Sequence, residues 1–117
     1  MTESDQTPDP RAARSAYVRH LLEAYVATPG VLGRVRRADR HLADRLYEQR
    51  VPLFAMKNAF FVAAARRLRN NAFDTPLPPI RSLHYFLPVL RELQERPLGP
   101  RDIARLRDIL RAGEPPL

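Results

Sequence analysis

The sequence predicts an all-α protein, a compact bundle of about five helices around a central apolar helix over residues 52–69. Three observations carry this expectation. Apolar residues recur at three- and four-residue spacing in the segments between turn signals. No segment reads as a strand, and no internal repeat is present. Finally, VPLFAMKNAFFVAAARRLR, Val51–Arg69, is the longest run without a turn signal and holds three of the five phenylalanines. It has too many apolar residues for one face of a surface helix, so it belongs deep in the core.

Residues 1–10, MTESDQTPDP, are polar and acidic with two prolines and no apolar periodicity, and predict a disordered tail. A first helix is expected from Arg11 to Ala27, with Tyr17, Leu21 and Tyr25 on its buried stripe and an Arg19–Glu23 pair outside it. Pro29 and Gly30 stop it. The loop GVLGRVRR leads to a second helix over Ala38–Gln49, whose stripe is Ala38, Leu42 and Leu46. Asp39 favours its N-terminus, and Arg40 and Asp44 are spaced to pair. In the central helix, Met56, Phe60, Leu53, Leu68, Phe61 and Phe54 share one broad arc. Ala55, Ala59, Ala63 and Ala65 occupy much of the other side, where a neighbouring helix can come close.

The Pro-rich stretch NNAFDTPLPPI is a stiff connection. Ser82 can cap the next segment, and Pro88 inside its apolar pattern predicts either a single turn from Leu83 that meets a main helix near Leu87 or one helix kinked there, with the first favoured. A last helix lies between Gly99-Pro100 and Gly113, and GEPPL closes the chain. The expected organisation is one domain over 11–112 between an acidic tail, 1–10, and a short C-terminal tail, 113–117.

Length and composition exclude several classes of function. A chain of 117 residues has room for one modest core. Cysteine is absent, which removes disulfides, thiolate nucleophiles and Cys-based zinc sites. No hydrophobic leader and no apolar run of about 18 residues is present, so a cytoplasmic protein without a membrane partner is expected. The histidines His20, His41 and His84 fall on three elements without metal-ligand spacing. No carboxylate pair, nucleophile–base pair or phosphate-binding glycine motif is present. No enzyme activity, cofactor, metal or small-molecule substrate is expected.

Charge is the informative quantity. The chain carries +7, and residues 34–69 account for all of it, with ten basic residues against three acidic ones. Arg34, Arg36, Arg37 and Arg40 form the densest cluster, and Arg66, Arg67 and Arg69 end the central helix. Helix two, a tight connection and helix three outline a helix-turn-helix. However, Leu53, Phe54, Ala55 and Met56 offer nothing to base edges at the start of the third helix. The expectation is a sequence-tolerant grip on nucleic-acid phosphates by those seven arginines.

The pieces ADRHLADRLYEQRVPL, AFFVAAARRL and PPIRSLHYFLPVLREL, within Ala38–Leu93, resemble small helical proteins and replication-protein terminal segments of bacterial plasmids and mobile elements. The last piece is also similar to the hydrophobic-aromatic stretch of DnaD-type primosomal modules. The resemblance implies a replication or mobile-element accessory role, DNA as a partner, and a replication or recombination protein contacting Tyr85 and Phe86. It also implies a glycine just before Val51, where this chain carries Arg50. The alternative is a protein–protein adaptor docked through the alanine side of helix three or through helix four, with no nucleic-acid contact.

Overall fold

The computed structural model of the chain describes residues 9–70 and 77–112. The expected tail residues 1–8 and 113–117, and residues 71–76 of the Pro-rich connection, lie outside them. The described residues form five α-helices and no strand: α1 (Pro10–Ala27), α2 (Arg37–Glu48), α3 (Leu53–Asn70), α4 (Leu87–Glu95) and α5 (Pro100–Ala112). A 3-10 turn at Leu83–Phe86 runs directly into α4, as Pro88 allows. None of these helices is long and apolar enough to cross a membrane.

Each helix end has a local cause. The Asp9 carboxylate accepts the Arg11 N–H at 3.0 Å, so α1 starts at Pro10, one residue before the sequence expectation. Thr28, extended before Pro29, ends it, and its hydroxyl donates to the Ala24 carbonyl at 2.8 Å. The Ser82 hydroxyl accepts the His84 N–H at 3.1 Å and caps the 3-10 turn. Neither expected pair forms: Arg19 and Glu23 make no ion pair among the described residues, and Asp44 meets Arg14 of α1 at 3.5 Å rather than Arg40 of its own helix. Arg14 also holds Glu48, so a single guanidinium ties α1 to two turns of α2.

The core joins all but the last helix. Leu21 and Tyr25 of α1, Leu42 and Leu46 of α2, Met56 and Phe60 of α3, and Leu83 and Phe86 of the 3-10 turn form one buried cluster. Burying each such side chain contributes about 1.5–3 kcal/mol. Phe60 and Phe86 meet edge to face at 4.8 Å, and Tyr25 stands against Phe86 at 6.0 Å. The large-residue arc expected of α3 is redrawn. Met56 and Phe60 reach this cluster together with Ala59 and Ala63, whereas Phe54 is 67% exposed and Phe61 and Leu68 are half-buried. The reason is that α3 packs against α1, α4, α5 and the 3-10 turn, so its residues sort by neighbour and not by size.

Tyr25 is fully buried, yet its hydroxyl has no hydrogen-bond partner among the described residues. Tyr25→Phe keeps the ring and removes that orphan, so it should raise unfolding stability by up to about 1 kcal/mol. Burial, reinforced by the Asp39 carboxylate, pushes the Tyr25 pKa up from 10.0 to about 12. The fold therefore favours the neutral phenol; this stabilisation is complete below pH 10 and is lost as pH rises toward 12. Urea unfolding across that window should show a shallower decline for Tyr25→Phe. An equal decline would remove Tyr25 as its source. Part of the decline remains in the variant, because burial also raises Tyr17 to about 12.

Candidate nucleic-acid interface

The basic cluster is built around the first turn of α2. Arg36, extended, precedes the helix, and its N–H donates to Asp39 Oδ2 at 2.9 Å. The other carboxylate oxygen, Oδ1, accepts the Leu83 N–H at 2.9 Å across 44 residues of sequence. Asp39 is 1% exposed. One buried carboxylate thus caps α2 and fastens the 3-10 turn to it, while Arg34, Arg36, Arg37 and Arg40 stand exposed around the same turn. None of the four makes an ion pair with another described residue.

A second link adds an arginine that sequence reasoning missed. Ile80 and Val31 form a short parallel bridge: the Ile80 N–H donates to the Gly30 carbonyl at 2.7 Å, and the Leu32 N–H to the Ile80 carbonyl at 3.1 Å. Arg81 lies between this bridge and the Leu83–Asp39 bond, exposed at the border of the cluster. Nothing in the local sequence shows that residues 80–83 return to residues 30–39. The signal would be the pairing of a buried Asp39 with an amide far along the chain.

The three arginines ending α3 do not share one surface. At about 100° per residue Arg67 points away from Arg66 and Arg69, which lie about 60° apart on one face. Arg66 is held by the Glu92 carboxylate of α4, with one of its two bonds at 3.0 Å. That carboxylate holds the Arg66 pKa up, and its own pKa is lowered in turn. Arg67 donates to the Pro78 carbonyl at 2.8 Å and lies over the Tyr85 ring at 5.9 Å. It also runs beneath Gly30, where φ is +96° and an added Cβ would stand 2.8 Å from Arg67 Nε. Arg67 therefore fastens the Pro-rich connection to the α1–α2 loop. Arg69 is exposed.

The pair Tyr85 and Phe86 divides in the same way. Phe86 is 0% exposed and belongs to the core, while Tyr85 is 44% exposed under Arg67. His41 and His84, far apart in sequence, line one cavity of about 570 Å³ with Asp44 and Arg45. Among the described residues no group of three or more potential ligands could hold a metal ion. Ser82 Oγ lies 3.2 Å from His84 Nδ1, but this hydroxyl is already the cap of the 3-10 turn. Compared with family models, curated proteins and solved structures, the chain matches none.

Proposed function

We propose that this chain is a non-enzymatic all-α accessory module that binds nucleic acid through backbone phosphates without strong sequence specificity. One observation carries the reading: four arginines, Arg34, Arg36, Arg37 and Arg40, stand exposed at and just before the N-terminal turn of α2 with no ionic partner among the described residues. Arg81 extends the surface, whereas Arg66 and Arg67 are committed to Glu92 and to Pro78. The sequence resemblance supports DNA as the ligand and replication or mobile-element maintenance as the setting.

Titration of mixed-sequence duplex DNA at about 50 and 200 mM salt tests this, with a logarithmic salt slope near −3.6 expected if four phosphates are neutralised. Replacing Arg34, Arg36, Arg37 and Arg40 together with glutamine should abolish that slope and leave thermal unfolding unchanged. An unchanged affinity would rule out the site.

A second reading, a protein–protein adaptor, is favoured by one feature. Phe54 and Pro52 face Leu90, Leu93 and Leu98 across a groove of about 440 Å³ that has no charged lining residue. The alanine side of α3 is not the surface for it, because Ala59, Ala63 and Ala65 are buried within this chain. Self-association without salt-sensitive DNA retention would select this reading.

A further inference from the structure

The end of α2 is a complete helix-stop motif with an unexpected residue in it. The Val51 N–H donates to the Leu46 carbonyl at 3.0 Å and the Arg50 N–H to the Tyr47 carbonyl at 3.0 Å. These are the two bonds of a Schellman C-cap, and Leu46 and Val51 supply its apolar contact within the core. The residue such a cap requires in left-handed conformation is usually glycine. Here it is Arg50, with φ +59°, the only non-glycine residue with positive φ among those described. A side chain there strains the backbone, and such strain is characteristic of functional positions.

The Arg50 position overlooks a cavity of about 700 Å³ between the start of α1 and the end of α2, which it lines with Arg11, Arg14, Tyr17, Tyr47 and Pro52. Arg14 is committed: it holds Glu48 and Asp44 and lies 5.6 Å over the Tyr47 ring. Its pairing also occupies Glu48, the carboxylate lining the cavity. Arg11 and Arg50 make no ion pair with a described residue. The Tyr17 hydroxyl donates to the Val51 carbonyl at 2.8 Å, and its ring meets Tyr47 edge-on at 5.3 Å, which fixes the aromatic wall. Two unpaired guanidinium groups beside an aromatic and prolyl wall suit a ligand with an anionic group and a flat ring. A second cavity shares Arg14 with it and is lined also by Arg19, Glu23, Arg40 and Asp44.

We propose that this cavity binds a nucleotide, its phosphate on Arg11 and Arg50 and its base against Tyr47 and Pro52. The choice of a nucleotide rests on the proposed nucleic-acid role of the chain; the site itself does not. Calorimetric titration of the full chain with adenosine monophosphate, inorganic phosphate and adenosine provides the test. The monophosphate should bind at least about tenfold more tightly than either part alone, since both halves of the site then contribute. Arg50→Gly should weaken it about tenfold while raising the melting temperature by about 3–6 °C, because the strain is relieved as the charge is lost. Arg50→Lys should retain most of the binding and none of the thermal gain.

Unchanged monophosphate affinity in Arg50→Gly overturns the proposal. If that variant loses stability along with affinity, Arg11→Gln decides, and unchanged affinity there overturns it. Nucleotide binding without duplex binding leaves this site standing and removes the phosphate reading at α2. Salt-sensitive duplex binding without nucleotide binding does the reverse.

Discussion

Replacing Phe86 with alanine should cost about 3–5 kcal/mol of folding stability. Its ring is 0% exposed and meets both Phe60 and Tyr25 edge to face. Truncation therefore removes the burial of a whole ring, opens a cavity and loses two aromatic pairs. Against a total of about 5–15 kcal/mol this is a large fraction, so Phe86→Leu, at about 1–1.5 kcal/mol, supplies a folded intermediate case. Tyr85→Ala, next to it but 44% exposed, should cost less than about 1 kcal/mol. Urea unfolding of the three variants separates the two neighbours. Equal losses at 85 and 86 would mean that Phe86 is not the ring holding the 3-10 turn in the core.

Asp39→Ala should destabilise by roughly 3 kcal/mol, although it removes a single carboxylate. Both oxygens accept backbone N–H groups, one at the start of α2 and one at Leu83 in the buried junction. Hydrogen bonds to a charged acceptor contribute about 1.5–3 kcal/mol each, and a buried amide left without a partner adds its desolvation cost. The melting temperature should fall by roughly 10–20 °C. Asp39→Asn retains one acceptor oxygen and should lose about half as much. Because the carboxylate joins α2 to the 3-10 turn, the Leu83 amide should lose its protection from hydrogen exchange in Asp39→Ala. A loss below about 1 kcal/mol with Leu83 still protected would show that the junction does not depend on Asp39.

The helices were legible in the sequence because their causes are local. Pro29, Pro52, Pro88 and Pro100 mark ends or starts, and apolar spacing marks the stripes. Pro88 allows a turn followed by a helix or one kinked helix, and the fold takes the first, a 3-10 turn at Leu83–Phe86 leading into α4. The organisation of the arginines was not legible, because it depends on contacts between distant segments. Arg81 gains its place from the Val31–Ile80 bridge, and Arg67 its role from a carbonyl at Pro78. Asp39 reads as an ordinary helix-start residue; only the fold shows its second oxygen on Leu83. The position of Arg50 was anticipated as one for glycine, but the cavity it faces joins residues of α1 and α2 that no local pattern connects.

The arginines divide into paired and open ones. Arg14 is offset by Asp44 and Glu48, and Arg66 by Glu92. The exposed, unpaired charges of Arg34, Arg36, Arg37 and Arg40 sit at the N-terminal end of α2, where the Asp39 carboxylate already occupies the helix's own positive pole. The last turn of α2 lies about 18 Å away along the axis, roughly two Debye lengths at physiological salt. Arg11 and Arg50 at that second end are also unpaired among the described residues, so α2 carries open arginines at both ends, screened from one another.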